Sequence, residues 1–322
     1  MNILEQVSSR PGFVYCKSVG HVLIDFKGTF RRSHLLHRLH HVARTSKLSQ
    51  RVTFIRAKMN FSASSDYCGD ARVVQHTVIT HNKKKLTLSP EDTVLDVGCG
   101  TGEDTKLTAL KVGKVTGIDP SKEMLEFALK NNSSSNITYL LEDAQTVGDN
   151  PDLRGKFDKV LCFHVLHWVP DVIKALGSIC DCLKPGGEAL IIMTNNDDNF
   201  LPFKADRFLE VHIKWGQYTN GCKSAIQLWS KSIPATEEVL RSCGYANAHC
   251  EVQEHVIDLY EKQMKLFFKT IMKQLSKIPE NEREECLEDL WVWVQTLFQP
   301  SLGGKTGSIA VPKWFMVMHA KK

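Results

Sequence analysis

The heptapeptide Asp96-Val97-Gly98-Cys99-Gly100-Thr101-Gly102 decides the fold of this chain. It closes an apolar run at residues 93–98 that predicts a strand, and it leads into a helical run at residues 104–111. Closely spaced glycines let a backbone turn tightly and approach a ligand, and the helix N-terminus beyond them presents unpaired N–H groups. The sequence therefore predicts a ligand-binding loop between the first strand and the first helix of an α/β domain.

Short apolar runs alternate with helical runs downstream of this loop. We predict further strands at residues 115–119, 137–142, 160–163 and 189–193, and further helices at residues 122–130 and 172–183. Alternation at this spacing predicts a parallel sheet with helices on both faces, which is a doubly wound, Rossmann-like α/β fold. Because ligands bind at the carboxyl ends of the strands in such sheets, we expect the functional residues there.

Other elements flank this alternating region. Tyr67, Ala71, Val74 and Val78 repeat at helical spacing and predict a lead helix that ends near three consecutive lysines at 83–85. After residue 193 we predict a helix from residue 234 to 244, an extended run at 247–258, a helical stretch at 260–298 interrupted near 278–279, and a closing extended run at 309–320. Two late strands with a helical insertion between them would then complete the sheet.

The first 58 residues differ in charge from the rest of the chain. They hold seven Arg and four Lys against two acidic residues, a formal charge of +9 in a chain whose net charge is +5. We predict a basic, disordered or targeting extension at residues 1–58 and a globular domain at residues 59–322. We expect a cytoplasmic protein, or a mitochondrial one if this Arg-rich extension is a transit peptide.

Composition excludes several functional classes. No apolar run approaches the roughly 20 residues that span a bilayer, and the acidic body of the chain lacks the charge of a nucleic-acid-binding domain. Ten cysteines occur without a Cys-x-x-Cys pair, which indicates free thiols in a reducing compartment. Three histidines at 34, 37 and 41 fall on one helical face, but no carboxylate or cysteine completes a ligand set, and we predict no metal site.

The glycine-rich loop does not fit the common phosphate-binding patterns. The dinucleotide fingerprint would need a glycine where Glu103 stands, and a phosphate-binding loop would need Gly-Lys-Ser/Thr, which is absent. The acidic pair Glu103 and Asp104 would also repel a pyrophosphate at the helix start. We therefore expect a cofactor that carries positive charge.

Four motifs in order resemble the class I S-adenosylmethionine-dependent methyltransferases. They are Asp-Val-Gly-Cys-Gly-Thr-Gly at 96–102, Gly-Ile-Asp-Pro-Ser at 117–121, Glu-Asp-Ala at 142–144 and Leu-Lys-Pro-Gly-Gly at 183–187. The resemblance implies a seven-stranded sheet of order 3-2-1-4-5-7-6, with helical insertions over the substrate side. It also implies S-adenosylmethionine as cofactor, bound by Asp96, Gly98, Cys99, Gly100, Gly102, Asp119, Pro120, Asp143, Ala144 and Phe163. Taken singly, the three aspartates could equally be turn or capping residues.

The segment after the fourth strand resembles the arthropod juvenile hormone acid methyltransferases. It reads Leu-Cys-Phe-His-Val-Leu-His-Trp at 161–168, and Tyr67 and Gln75 on the lead helix add to the likeness. The resemblance implies juvenile hormone biosynthesis and a small apolar acid as substrate, with Gln75 and Trp168 holding its carboxylate. Neutral N–H donors suit this task, since a carboxylate needs no general base to accept a methyl group.

Alternative readings of the acceptor stay open. His164 replaces the tyrosine that is usual in the family and could act as a base toward a hydroxyl or amine acceptor. A non-catalytic cofactor-binding protein is the third alternative. Nine late apolar residues could roof an apolar cavity or simply form core, and these are Trp215, Trp229, Met264, Phe267, Phe268, Ile271, Met272, Trp291 and Trp293.

Overall fold

The computed structural model describes residues 67–196, 200–298 and 307–322. The extension predicted at residues 1–58 lies outside the described residues, and so does the domain boundary at residue 59. Both stay predictions.

Seven strands form one sheet in the order β3-β2-β1-β4-β5-β7-β6. Their bounds are β1 Thr93–Val97, β2 Lys114–Asp119, β3 Ile137–Leu141, β4 Phe157–Phe163, β5 Leu183–Thr194, β6 Asn247–Tyr260 and β7 Ser308–Lys321. Strands β1 to β5 pair in parallel, and β7 runs antiparallel between β5 and β6. This confirms the predicted strand order and the doubly wound α/β class.

Nine α-helices cover the sheet within the described residues. Their bounds are α1 Val73–Asn82, α2 Glu103–Ala109, α3 Lys122–Asn131, α4 Val172–Cys182, α5 Leu201–Val211, α6 Gly216–Thr219, α7 Ile233–Ser242, α8 Glu261–Ile271 and α9 Arg283–Leu297. Three of them begin at a capping side chain, because Ser121, Asp171 and Ser232 each accept a hydrogen bond from a backbone N–H of the first turn. None of the described helices is both long and apolar enough to cross a membrane.

Three parts of the structure depart from the sequence prediction. Strand β5 begins at Leu183 rather than 189, because Leu183 pairs with Phe157 across a register irregularity despite the Pro-Gly-Gly that follows. The stretch predicted as one interrupted helix also breaks at Met272, between α8 and a 3₁₀ turn. Helices α5 and α6 were not predicted, although Leu201, Ala205 and Leu209 of α5 repeat at helical spacing.

Two apolar cores lie on opposite faces of the sheet. One contains the inner faces of α4 and α7, with Ile179 and Leu240 fully buried. The other packs α1, α5, α8 and α9 against the sheet, with Val78, Leu209 and Phe268 fully buried. The helices inserted before β6 and before β7 therefore belong largely to the same face as the lead helix α1, and they enclose the carboxyl ends of the strands there.

Candidate active site

The glycine-rich loop connects β1 to α2 through left-handed backbone. Gly98, Gly100 and Gly102 have φ angles of 68°, 54° and 79°, a region that favours glycine. A Cβ on Gly102 would lie 2.4 Å from the hydroxyl of Tyr139, whereas a Cβ on Gly100 would meet only the ring of Tyr67, at 3.9 Å. The loop is therefore tightly packed at Gly102 and leaves space beside Gly100.

Asp119 ends β2 beside this loop. One carboxylate oxygen accepts the Gly100 N–H at 3.0 Å, and the other accepts the Ser121 N–H at 2.8 Å. Each oxygen keeps further acceptor capacity, so the carboxylate can take two ribose hydroxyls. Burial raises the pKa of Asp119 to about 6. Ser121, not Asp119, caps the following helix, which leaves the carboxylate to the loop.

Asp96 lies at the end of β1 and is almost fully buried. One of its oxygens accepts a 2.6 Å hydrogen bond from the Thr105 hydroxyl of α2. Burial raises the pKa of Asp96 to about 7. A cationic group placed nearby would favour the ionised carboxylate, so the surroundings of Asp96 fit a ligand with a positive aminoacyl end.

The other residues expected at the cofactor lie around the same strand ends. The Asp143 carboxylate accepts the Gln145 N–H at 2.9 Å and shapes the turn after β3, where Ala144 is buried. The backbone N–H of Cys99 donates to the Ile118 carbonyl, which ties the loop to β2. Pro120 is exposed beside Asp119, and Phe163 is buried in the core below α1. Their contacts to the cofactor stay predictions.

The acidic pair at the start of α2 has a different role from the one expected. Arg72 pairs with Glu103 at 2.9 Å and with Asp104 at 2.6 Å, and Lys83 reaches Asp104 at 2.8 Å. These carboxylates therefore balance cations of the lead segment. These cations offset the charge on which the expectation of a cationic cofactor rested, and Asp96 is the carboxylate that fits the cationic end of such a ligand.

A cavity of about 50 Å³ lies between the lead helix, the loop after β4 and the middle of β7. Its lining combines polar and apolar side chains, namely Tyr67, Val74, Gln75, His164, His167, Trp168, Thr194, Phe200, Pro202, Ile226, Phe267, Thr270, Ile271, Lys313, Trp314 and Phe315. The structure thus brings together the three residues predicted to act on the acceptor, Gln75, His164 and Trp168. Tyr67 lies between this cavity and the glycine loop.

Several polar atoms of the cavity wall have no hydrogen-bond partner among the described residues. They are Gln75 Oε1, His164 Nε2 and His167 Nδ1, while Gln75 Nε2 donates to the Tyr67 hydroxyl at 3.5 Å. Buried polar atoms normally have partners, so these atoms suit a bound polar group.

His164 is also held in an unusual backbone conformation. It has a φ of 60° although it is not glycine, and such strain clusters at functional sites. Burial, with a further contribution from His167, lowers the pKa of His164 to about 3, and burial lowers that of His167 to about 3. Both imidazoles are therefore neutral at physiological pH.

Sequence reasoning missed part of this cavity. Lys313, Phe315 and Phe200 line it and were not predicted to do so. A signal existed for Lys313, because it occupies an apolar position of the alternating strand β7. Of the nine residues proposed as a roof, Phe267 and Ile271 line the cavity, and the others do not.

Among the described residues, no cluster of three or more His, Cys, Asp or Glu could hold a metal ion.

Comparison with known proteins agrees with these observations. A family model described as a methyltransferase domain matches residues 95–191. A juvenile hormone acid O-methyltransferase from Drosophila melanogaster is 29% identical over 244 residues, which cover 72% of this chain and 81% of the relative. A demethylmenaquinone methyltransferase from Tropheryma whipplei is 31% identical over 175 residues, which cover 51% of this chain and 70% of the relative.

The fold has counterparts among solved structures. The YcgJ protein from Bacillus subtilis superposes with a TM-score of 0.51 at 18% sequence identity, covering 77% of this chain and 98% of that one. The family match and the sequence identity together establish that the chain belongs to the class I S-adenosylmethionine-dependent methyltransferases and is an enzyme that uses S-adenosylmethionine as its cofactor.

Proposed function

We propose that the protein is an O-methyltransferase that acts on the carboxylate of a small apolar acid of isoprenoid or fatty type. The observation that carries this proposal is the presence of two neutral donors, Gln75 and Trp168, in one largely apolar cavity beside the glycine loop. Relatives from Drosophila melanogaster and Bombyx mori that are named juvenile hormone acid O-methyltransferases support it.

The chemistry of the cavity suits an acceptor that is already ionised. When bound, S-adenosylmethionine supplies an electrophilic methyl group on a sulfonium sulfur. A carboxylate is ionised at neutral pH and gives up no proton on methylation, so the protein has to orient it and exclude water. The Gln75 amide and the Trp168 indole can donate to a carboxylate oxygen without neutralising it.

The size of the cavity limits what binds without rearrangement. About 50 Å³ holds a small polar head group, because one water needs roughly 10–15 Å³ on the same measure. We expect the apolar tail of the acid to displace the cover formed by Phe200, which directly precedes α5, and by Phe267 and Ile271 of α8. All three side chains line the cavity and belong to segments inserted between late strands.

A second candidate is methylation of a hydroxyl or amine with His164 as base. The unpartnered Nε2 of His164 in the cavity wall favours it. The lowered pKa of about 3 disfavours it, because such an imidazole holds a proton from an alcohol or phenol poorly. We therefore rank the carboxylate first.

The test is transfer of labelled methyl from S-adenosylmethionine by the full-length protein. The acceptors are farnesoic acid, its epoxide, lauric acid and a simple phenol, assayed with the parent, Gln75→Ala and Trp168→Phe. We expect methyl esters from the acids, with kcat/KM about 10- to 100-fold lower in each variant, the effect of losing one hydrogen bond to a charged group.

Matched controls lie outside the cavity lining. Gln217→Ala and Trp293→Phe repeat the substitutions made at Gln75 and Trp168, but at residues that do not line the cavity. We expect kcat/KM of these controls to stay within about twofold of the parent. Transfer to the phenol alone would replace the carboxylate by the second candidate. Equal losses in controls and cavity variants would remove Gln75 and Trp168 from their proposed roles.

We also infer that the enzyme works in the reducing cytoplasm, within juvenile hormone biosynthesis. None of the nine described cysteines forms a disulfide, which supports a reducing compartment. Imaging of the tagged full-length chain, beside a chain that lacks residues 1–58, separates a cytoplasmic from a mitochondrial location.

A further inference from the structure

We propose that Asp206 sets the longest apolar tail that the acceptor cavity admits, because it holds together the three segments that cover the cavity. This inference deepens the proposed function and rests on it for the apolar tail. Asp206 lies in α5 and does not line the cavity, so it is a positioning residue for the cover and not a contact of the substrate.

The cover of the cavity comes from three separate segments. Phe200 and Pro202 belong to the start of α5, Ile226 to the irregular stretch between α6 and α7, and Phe267 and Ile271 to α8. These segments are inserted before β6 and between β6 and β7. Their relative position therefore depends largely on hydrogen bonds and packing between the segments themselves.

The two oxygens of the Asp206 carboxylate bind two different segments. Oδ2 accepts a hydrogen bond from the Ser224 backbone N–H at 2.9 Å, two residues before Ile226. Oδ1 accepts one from Gln274 Nε2 at 2.6 Å, three residues after Ile271. Because Asp206 itself lies in α5, one carboxylate joins all three segments of the cover.

Gln274 makes the position of the third segment depend on Asp206. It is 1% exposed and lies in the 3₁₀ turn that follows α8. Its Nε2 also donates to the Cys222 carbonyl at 3.3 Å, whereas its Oε1 has no hydrogen-bond partner among the described residues. Without Asp206, Gln274 would keep only the longer of these two bonds. Because a buried polar group that loses a partner is destabilised, removal of Asp206 should loosen the three segments together.

A cover held in this way limits the size of the substrate. The cavity of about 50 Å³ has to enlarge for an apolar tail, and each methylene buried under the cover strengthens binding about fourfold. A tail that is too long has to break the hydrogen bonds of Asp206 or leave methylenes in water. We therefore expect kcat/KM to rise with tail length up to an optimum and then to fall, and loss of Asp206 should move this optimum to longer tails.

The experiment measures kcat and KM for saturated linear acids from octanoic to hexadecanoic acid, each below its critical micelle concentration. Labelled methyl transfer is followed with the full-length parent and with Asp206→Ala. In the parent we expect kcat/KM to fall about tenfold over the roughly four carbons beyond the optimum, as for overfilling of a packed site. In Asp206→Ala we expect the optimum to lie about two carbons later or more, through a lower KM for the longer acids. The value of kcat at the parent optimum should stay within about threefold, because Asp206 does not line the cavity.

Two further variants keep the result interpretable. Gln274→Met removes the other partner with little change in volume, and we expect the same shift of the optimum. Asp289→Ala is the matched control, since Asp289 accepts a 2.8 Å hydrogen bond from the Trp215 indole and also joins two inserted segments, but neither residue lines the cavity. We expect this control to keep the optimum of the parent. Thermal melting shows which variants are folded, and Gln274→Met decides if Asp206→Ala is not.

The outcomes separate this inference from the proposed function. The role of Asp206 is overturned if the parent shows no decline at long tails, if the folded cover variants keep its optimum, or if Asp289→Ala shows an equal shift. Each of these results can occur in a protein that methylates acids. A protein that methylates no acid contradicts the proposed function. Calorimetric Kd values for 4-alkylphenols of increasing chain length then decide the role of Asp206 by the same shift.

Discussion

The cofactor side and the acceptor side of the active site are built in different ways. The expected cofactor residues at the strand ends lie between residues 96 and 163, and Asp96, Gly100 and Asp119 come from the neighbouring strands β1 and β2 and the loop between β1 and α2. The proposed acceptor cavity collects side chains from residue 67 to residue 315, carried by α1, β5, α5, α8 and β7 among others.

This difference explains why the cofactor side can be predicted from short stretches of sequence and the acceptor side cannot. Strand ends in a parallel sheet place short motifs together by register alone, as with Asp96 opposite Gly117 and Asp119 opposite Leu141. The acceptor side depends on how inserted helices pack over the sheet. We therefore expect the cofactor side to be fixed for the class of enzyme and the proposed acceptor side to set its substrate.

Loss of Arg72 should break the connection between the two sides and have the largest effect. Its side chain, 13% exposed, joins the lead segment to Glu103 and Asp104 of α2. Arg72→Leu leaves these acids poorly balanced, and we expect a loss of about 3–5 kcal/mol in the free energy of unfolding. Urea denaturation measures this change.

The ion pairs of Arg72 also predict that the free energy of unfolding depends on pH. Burial alone would raise the pKa of Asp104, but Arg72 and Lys83 outweigh it and hold this pKa below its usual range. The stabilisation is therefore full above the unfolded carboxyl pKa near 3.9 and is lost as the pH falls below it. Arg154→Leu removes an exposed pair as a control, and an equal loss there would contradict the connecting role of Arg72.

Removal of Asp119 tests the cofactor side alone. Asp119→Ala deletes both oxygens that face the expected ribose hydroxyls and frees the Gly100 N–H. We expect Kd for S-adenosylmethionine to rise about 100-fold, the effect of two hydrogen bonds to a charged acceptor. Calorimetry provides the measurement, with the exposed Asp152→Ala as control. A rise below threefold would remove Asp119 from the cofactor site.

Cofactor affinity should also depend on pH. Burial raises the pKa of Asp96 to about 7 and that of Asp119 to about 6. Both groups become protonated as the pH falls, and a protonated carboxyl attracts a cation and accepts hydrogen bonds more weakly, so we expect binding to be about 10- to 100-fold weaker at pH 5.5 than at pH 8. In Asp96→Asn this dependence should shrink. A Kd independent of pH in the parent would show that neither carboxylate contacts the cofactor in its ionised form.

Substitution of His164 should have the smallest effect on activity, and it tests how the acceptor side works. Because its pKa of about 3 keeps the imidazole neutral, we expect His164→Phe to lower kcat for an acid by less than about threefold. The parent should show a flat rate between pH 6 and pH 9. A collapse of the rate in the variant, with a bell-shaped pH profile in the parent, would instead identify His164 as a general base.

The sequence predicted the sheet more completely than its cover. Alternating short apolar runs predicted the central strands, because strands such as β1 and β4 are largely buried and read as apolar segments. The strand order came from the resemblance to the methyltransferases. Helices α5 and α6 were missed, and the helical stretch between β6 and β7 was predicted without its break at Met272. Such helices are held by contacts to distant residues, as in the hydrogen bond from the Trp215 indole to Asp289.

The sequence by itself determined the cofactor motif and the enzyme class, whereas the candidate pair Gln75 and Trp168 came from the resemblance to the juvenile hormone acid methyltransferases and stays a prediction. It did so because these features depend on residue type at fixed local spacing, or on motifs that occur in order. Only the tertiary structure decided that Glu103 and Asp104 balance Arg72, and that Lys313 lies beside Gln75 and Trp168 in the wall of one cavity. Those relations join residues up to some 240 positions apart, and only packing across the sheet brings them together.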